Sequence, residues 1–187
     1  MTARQQILVS GVGGQGVLFI TRLLADAAIG MGAGVLTSET HGMAQRGGVV
    51  VSHLKVGDFS SPLVRPSHAD GLLVLSAENF ALHRRFLRPA GWAFVNAPPG
   101  GGPEGGGPNI RTVDADGLAR KSGNPMAANL VLLGCALSGS ANAEGTGLLF
   151  CSQGDVEAAL KRRLEGKESL LGASLQALAL GMREGTR

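Results

Sequence analysis

Short apolar runs and longer helix-like segments alternate along this chain. Residues 7–9 are Ile, Leu and Val, four glycines follow between positions 11 and 16, and residues 17–29 are rich in Leu, Ile and Ala. A short apolar run is typical of a buried strand, and the longer segment is typical of a helix. The chain therefore begins with a strand, a glycine-rich loop and a helix, which is a Rossmann-like start.

A second apolar run at residues 35–37 predicts a second strand, and the helical crossover makes it parallel to the first. Residues 49–56 alternate in polarity, and Gly57 and Asp58 separate them from residues 59–64. This pattern predicts a β-hairpin with its turn at Gly57 and Asp58. We therefore expect an α/β fold whose sheet is mixed, mostly parallel, and includes a β-hairpin.

The remaining pattern predicts further elements of both kinds. Strands are predicted at residues 71–75, 92–96 and 110–113, and helices at residues 78–87, 116–121, 126–137, 155–164 and 169–182. Asn124 and Pro125 suit the N-cap and first position of one of these helices, and Ser152 suits the N-cap of the next. The helix predicted at residues 126–137 is almost wholly apolar and should be buried. Asn129 within it either bonds a neighbouring backbone group or reaches a site or a partner.

The glycine loop allows two interpretations. Gly11, Gly13 and Gly16 have the spacing G-x-G-x-x-G, and Gly14 lies between them. Such a loop can bring backbone N–H groups and the positive end of a helix dipole to a phosphate. The same glycines can instead serve only to pack the helix tightly against the sheet. The spacing alone leaves both interpretations open.

Glu39 follows the second predicted strand, where dinucleotide-binding proteins place an acid that holds the ribose hydroxyls. The alternative is a solvated acid at a strand end. The polar segment at residues 41–48 comes next, at the edge of the sheet where α/β proteins bind ligands. Within it Arg46 can bind a carboxylate or phosphate with its guanidinium fork, cap a carbonyl, or pair with Glu39.

Composition narrows the classes of partner. Aromatic residues make up 4% with no Tyr, and a net charge of +3 is scattered along the chain, so no nucleic-acid partner is expected. Cys135 and Cys151 lack metal-site spacing and predict free thiols, too few for an iron–sulfur cluster. No apolar run approaches the length of a membrane helix, so we expect no membrane partner and a cytoplasmic location.

Three segments together resemble one family. They are GVGGQGV at residues 11–17, THGMAQRGGVVVSHLKVG at residues 40–57 and GNPMAANLVLLG at residues 123–134. These motifs resemble the gamma-type subunit of 2-oxoacid:ferredoxin oxidoreductases, and the indolepyruvate type most of all. The resemblance covers nearly the whole chain. The Gly- and Pro-rich residues 97–109 are longer and more repetitive than the connection expected there.

The resemblance implies a single gamma-type domain over residues 1–187, with a three-layer α/β/α sandwich. It implies that the chain binds no cofactor alone, and that a large partner subunit holds thiamine diphosphate, Mg²⁺ and iron–sulfur clusters. The enzyme would decarboxylate a 2-oxoacid oxidatively, form an acyl-CoA and reduce ferredoxin, with this chain contacting coenzyme A. The apolar stripe of the last predicted helix makes a homodimer an additional expectation.

The candidate site comprises the glycine loop and the polar segment, because both follow predicted strands. No catalytic residue and no metal ligand is assigned. The glycines would provide N–H groups, Arg46 a positive charge, and Gln45 and His41 hydrogen bonds. The full candidate set is Gly11, Gly13, Gly14, Gln15, Gly16, Glu39, His41, Gln45, Arg46, Gly47 and Gly48. Two alternatives stay open: a stand-alone NAD- or FAD-binding module, and a purely structural assembly subunit.

Overall fold

The computed structural model describes residues 4–41, 47–103, 109–139 and 147–186, with the backbone alone at His41. The strands are β1 (Gln5–Val12), β2 (Val35–His41), β3 (Val49–Val56), β4 (Ala69–Val74), β5 (Leu87–Asn96) and β6 (Ile110–Val113). The helices are α1 (Val17–Gly30), α2 (Glu78–His83), α3 (Ala115–Lys121), α4 (Ala128–Ser138), α5 (Gln153–Arg163) and α6 (Glu168–Gly185). Two 3₁₀ turns cover Arg84–Phe86 and Pro125–Ala127.

The strands form one mixed sheet in the order β2-β3-β1-β4-β5-β6. β3 is antiparallel to both β1 and β2, whereas β1, β4, β5 and β6 pair in parallel. The parallel direction of β1 and β2 is therefore confirmed, although β3 lies between them. The predicted α/β class with a mixed, mostly parallel sheet is confirmed as well.

The predicted hairpin is wrong in its location. Residues 59–64 form no strand. β3 instead pairs antiparallel with β2, the strand that precedes it in the chain. The physical reason is that both edges of β3 are already paired, so no position beside it is left for a further strand. The segment that follows β3 instead runs over a face of the sheet, where Val64 is buried.

Two element boundaries also differ from the prediction. The helix predicted at residues 78–87 ends at His83, and β5 begins at Leu87 with Pro89 inside it. A residue before proline favours extended backbone, which explains why the helix cannot continue to this point. Pro125 starts a 3₁₀ turn rather than an α-helix, and the Asn124 side chain makes no capping bond.

Other predictions are confirmed. Ser152 and Asp155 form a reciprocal capping box at the start of α5. α4 is buried along most of its length, and both cysteines are free and buried. Burial raises the pKa of each thiol to about 12, so neither is a reactive nucleophile at neutral pH.

The sheet is covered unequally on its two faces. The larger apolar cluster joins Ile7 and Val9 of β1 to residues of α1 and α3–α6. The smaller cluster joins Leu8 of β1 to Phe80 of α2 and to Val64. The result is a three-layer arrangement with one thick helical layer and one thin layer.

Backbone contact between α4 and α6 requires glycine at the crossing. A Cβ at Gly181 would overlap the carbonyl of Val131, and a Cβ at Gly134 would overlap the carbonyl of Leu178. A methyl group cannot enter this contact without separating the helices.

We expect Gly181→Ala to lower the free energy of unfolding by about 2–3 kcal/mol, as overpacking typically does. Gly172→Ala is the matched control on α6, because nothing lies within 4 Å of its Cβ position. That substitution should raise stability by about 0.4–1 kcal/mol. Urea unfolding measures both values, and equal effects at the two sites would contradict the described helix crossing.

His53 of β3 is a buried, packed histidine, and its Nδ1 accepts a 3.1 Å hydrogen bond from the Val64 N–H. Burial, followed by nearby His83 and Lys55, lowers the pKa of His53. The folded state therefore favours neutral imidazole, while the unfolded chain protonates near pH 6.5. The contribution of His53 to stability is complete above about pH 6.5, and it is lost as the pH decreases through the folded pKa.

We expect His53→Gln to reduce the loss of stability between pH 7 and pH 5, by up to about 1.4 kcal/mol per pH unit. His68→Gln, at an exposed histidine, is the control for the loss of one histidine. Urea unfolding at several pH values provides the comparison, and identical pH slopes for both variants would refute a neutral, packed His53.

Candidate functional site

The glycine loop lies between β1 and α1, at the edge where the parallel strands end. Gly14 and Gly16 have φ angles of 94° and 82°, in the left-handed region that glycine adopts readily. Gly16 is the N-cap of α1 and no side chain caps this helix end. The first-turn N–H groups of α1 therefore face the loop with the positive end of the helix dipole.

Gln15 holds the loop rather than facing a ligand. Its Oε1 accepts a 2.8 Å hydrogen bond from the Val12 N–H, and its Nε2 donates a 3.1 Å hydrogen bond to the Leu75 carbonyl. One side-chain amide thus connects the end of β1 to the residue after β4. Both functional groups of Gln15 are used internally, which leaves little capacity for the ligand contact assigned to it.

Two of the glycines are required by packing. A Cβ at Gly11 would lie 2.7 Å from Gln15 Oε1 and 2.9 Å from Val17 Cγ2. A Cβ at Gly16 would overlap Asn129 Nδ2. The tight-packing interpretation therefore applies to Gly11 and Gly16.

Gly13 and Gly14 are exposed and differ from each other in their contacts. The Gly13 N–H donates a 3.1 Å hydrogen bond to the Gly48 carbonyl, so this donor is not free for an anion. Nothing lies within 4 Å of a Cβ position at Gly14. Among the described residues, no acceptor takes the Gly14 N–H. Gly14 is therefore the member of the loop best placed to meet a ligand or a partner.

The glycine loop contacts the last residue of the polar segment, Gly48. The Gly13–Gly48 hydrogen bond extends the β1–β3 ladder by one step beyond its last pair, Val12 and Val49. His41 is opposite Val50, which is in turn opposite Gly11, so its backbone lies at the same edge. Gln45 and Arg46 lie outside the described residues. Gly47 has a φ angle of 77°, and nothing surrounds its Cβ position within 4 Å.

Glu39 is not near the glycine loop. It is opposite Ser52 on β3, which is opposite Val9 in the middle of β1. Two strand spacings, roughly 10 Å, therefore separate Glu39 from β1. Its carboxylate is 3.9 Å from Arg22 of α1, a partly exposed ion pair. This geometry does not support the ribose-binding role, because that role requires the strand next to β1.

A cleft of about 120 Å³ lies beside the loop, lined by both apolar and polar side chains, and the sequence did not single out most of its lining. Gly14 and Gln15 form one wall, and Asn96, Asp116, Met126 and Asn129 contribute to the others. Asn96 follows the apolar core of β5, which is a signal that could have found it: a polar residue at the carboxyl end of a parallel strand. Met126 is 78% exposed at the rim.

The amides of this cleft differ in their free capacity. Asn96 Nδ2 donates to the Leu75 carbonyl at 3.1 Å and to Asp116 Oδ2 at 2.8 Å, while its Oδ1 accepts from the Ala115 N–H at 3.0 Å. Asn96 is therefore fully used. Asn129 Oδ1 accepts from the Leu130 N–H at 2.7 Å, but no described residue accepts from its Nδ2. Asn129 thus does both things that the sequence allowed: it bonds its own backbone and reaches the site.

A second hollow, of about 360 Å³, lies on the opposite side of the glycine loop. Its lining includes Val12, Gly14, Val17 and Val50, and none of the described residues that line it is acidic. Gly14 lines both the cleft and this second hollow. The two sites differ electrostatically, since Asp116 places a carboxylate in the cleft and the second hollow presents apolar side chains and backbone.

The described ranges contain no group of three or more His, Cys, Asp or Glu side chains that could hold a metal ion. None of the helices in those ranges has the length and hydropathy needed to cross a lipid bilayer.

Comparison with solved structures supports the fold. The gamma subunit of a keto/oxoacid ferredoxin oxidoreductase from Geobacter sulfurreducens superposes with a TM-score of 0.74 at 24% identity, over 97% of this chain and 98% of that one. A 2-oxoglutarate:ferredoxin oxidoreductase from Magnetococcus marinus, with 2-oxoglutarate, coenzyme A and succinyl-CoA bound, gives 0.78 at 21% identity. This chain covers 31% of that longer one.

Sequence comparison establishes the family. The family model for pyruvate ferredoxin/flavodoxin oxidoreductase matches residues 6–184. Indolepyruvate oxidoreductase subunit IorB of Archaeoglobus fulgidus is 34% identical over 150 residues, 70% of this chain and 75% of that protein. The same subunit of Thermococcus kodakarensis is 32% identical over 149 residues, 68% of this chain and 74% of that protein.

The chain therefore belongs to the pyruvate ferredoxin/flavodoxin oxidoreductase family, as its three motifs indicated. More particularly, it is a subunit of a 2-oxoacid:ferredoxin oxidoreductase.

The contrast between Gly14 and Gly16 generates a prediction about stability. Gly16→Ala should lower the free energy of unfolding by about 2–5 kcal/mol, because left-handed backbone strain adds to the overlap with Asn129. Gly14→Ala should cost only about 1–2 kcal/mol, because the backbone strain acts alone. Thermal and urea unfolding of both variants measure this difference. Equal losses would contradict the crowding described at Gly16.

Proposed function

We propose that this chain serves an enzyme that acts on an arylpyruvate of the indolepyruvate class. The observation that carries the proposal is the 34% identity to an indolepyruvate oxidoreductase subunit over 70% of the chain. The enzyme decarboxylates the 2-oxoacid, transfers the acyl group to coenzyme A and passes the released electron pair to ferredoxin.

The chain acts in complex with a larger subunit that holds thiamine diphosphate, Mg²⁺ and iron–sulfur clusters, and it has no turnover alone. Those groups supply the decarboxylation and electron-transfer chemistry. The Magnetococcus marinus enzyme supports this arrangement, because a domain with this fold there forms 31% of a much longer chain. A domain that exists both inside a longer oxidoreductase chain and as a separate chain is suited to packing against the remaining parts.

The glycine loop is the surface that contacts coenzyme A. Coenzyme A carries phosphates, and the uncapped start of α1 with exposed Gly14 offers N–H donors and a positive dipole. The hollow on the β3 side suits the phosphates better than the cleft, since the cleft contains the Asp116 carboxylate. Arg46, two residues before Gly48, supplies the positive charge, with His41 and Gln45 as hydrogen-bonding neighbours.

The cleft on the other side of the loop faces the large subunit. Met126 is an exposed apolar side chain at its rim, and Asn129 Nδ2, on a side chain that lines the cleft, has no acceptor among the described residues. An interface would cover the first and satisfy the second. A stand-alone NAD- or FAD-binding module has less support, because Glu39 lies two strands away from β1.

We expect Gly14→Asp to raise the KM for coenzyme A at least tenfold in the reconstituted complex, while Gly14→Asn changes it little. The two side chains have the same size, and both tolerate left-handed backbone better than most residues do. The difference between them therefore isolates the negative charge. Activity is measured as coenzyme A-dependent ferredoxin reduction with an arylpyruvate substrate.

The outcomes separate the parts of the proposal. Equal KM values for both variants would remove the coenzyme A role and leave an assembly role for the loop. Turnover by the isolated chain, or stoichiometric binding of a flavin or nicotinamide to it, would overturn the subunit arrangement. A complex that prefers an aliphatic 2-oxoacid would overturn only the substrate assignment.

A further inference from the structure

The two edges of the sheet are built differently. β6 has four residues, and Arg111 on it donates a 2.9 Å hydrogen bond to the Gly185 carbonyl at the end of α6. A short, charged edge strand is a common protection against pairing with another chain. β2 is the opposite edge and has seven residues, VLTSETH, with no Lys, Arg or Pro. β2 is therefore nearly twice as long as β6, and apart from Glu39 it lacks the usual devices that prevent an additional strand from joining.

The pairing register shows which backbone groups of β2 face outward. The Gly57 N–H donates a 2.8 Å hydrogen bond to the Gly34 carbonyl, so these two residues face each other across the β2–β3 ladder. Because backbone groups alternate in direction along a strand, the N–H and C=O groups of Leu36, Ser38 and Thr40 point toward β3. The N–H and C=O groups of Val35, Thr37 and Glu39 point away from the sheet. No described residue bonds to them.

We propose that a second copy of this chain pairs antiparallel with β2 about a two-fold axis at Ser38, which joins the two sheets. In this register Val35 is opposite His41, and Thr37 is opposite Glu39. All four residues have outward-facing backbone groups, so each can exchange both hydrogen bonds with its counterpart. The arrangement uses the full length of β2 and is self-complementary, as a two-fold interface requires.

The charge of Glu39 favours this register over the one in which the axis is shifted by one residue. A shift of the axis to Glu39 would place two glutamates directly opposite each other, which is unfavourable. With the axis at Ser38, each Glu39 is opposite a neutral threonine and remains beside Arg22 of its own copy. A shift of the axis to Thr37 avoids the repulsion but leaves His41 unpaired, so it forms fewer hydrogen bonds.

Ser38→Cys tests the position of the axis. Residues on the axis form a non-hydrogen-bonded pair with Cα atoms about 4.5 Å apart, which a disulfide can span. We expect Ser38→Cys in the full chain to form a cross-linked dimer on mild oxidation. Thr40→Cys is the matched control on the same face, because the two copies of residue 40 would be about 14 Å apart. Native Cys135 and Cys151 are buried and should give little background.

A charged side chain at position 37 tests the register, because a negative and a positive charge there should have opposite effects on the dimer. Thr37→Asp places an acid opposite Glu39 of the other copy and should weaken the dimer about tenfold. Thr37→Lys places a base there and should leave the dimer as tight or tighter, although lysine on an edge usually prevents pairing. Sedimentation velocity measures the dissociation constants, and circular dichroism checks that both variants fold.

A monomeric chain, or a dimer that Thr37→Asp and Thr37→Lys affect equally, would overturn the proposal. Efficient cross-linking of Thr40→Cys with none at Ser38→Cys would overturn it as well. If the chain is monomeric and Thr37→Asp instead prevents co-purification with the large subunit, the edge binds that subunit and not a second copy. None of these results bears on the substrate or on coenzyme A.

Discussion

Side-chain amides hold together the edge of the sheet on which the site is built. Gln15 joins the end of β1 to Leu75, Asn79 donates a 2.7 Å hydrogen bond to the Gly11 carbonyl, and Asn96 also donates to the Leu75 carbonyl. The regular ladder ends at this edge, so the backbone groups there need other partners. Each such bond contributes about 1 kcal/mol, and an unpaired group there would cost more.

This amide network explains why the glycines of the loop differ in how tightly they are packed. Gly11 must be glycine because Gln15 folds back over it, and Gly16 must be glycine because Asn129 presses against the start of α1. The loop is therefore fixed in place by its own surroundings. Gly14 projects from this frame into open space, since nothing lies within 4 Å of its Cβ position.

The insertion of β3 between β1 and β2 has two structural consequences. It brings Gly48 against Gly13, which joins the polar segment to the glycine loop. It also moves β2 to the outside of the sheet, where Glu39 pairs with Arg22 and the strand has an open edge. One antiparallel strand thus separates this chain from dinucleotide-binding proteins, despite the shared start of strand, glycine loop and helix.

The amino-acid sequence alone predicts the α/β class, the order of most elements and the family, since each follows from local patterns and motifs. It could not determine which glycines pack and which are open, because that depends on Gln15 and on Asn129, which is far away in the chain. It also could not place residues 59–64 or Glu39, because the pairing of β3 depends on all the strands of the sheet. Residues such as Asn96 and Asp116 become neighbours of the glycine loop only when the parallel strands align their ends, and that alignment is a property of the tertiary structure.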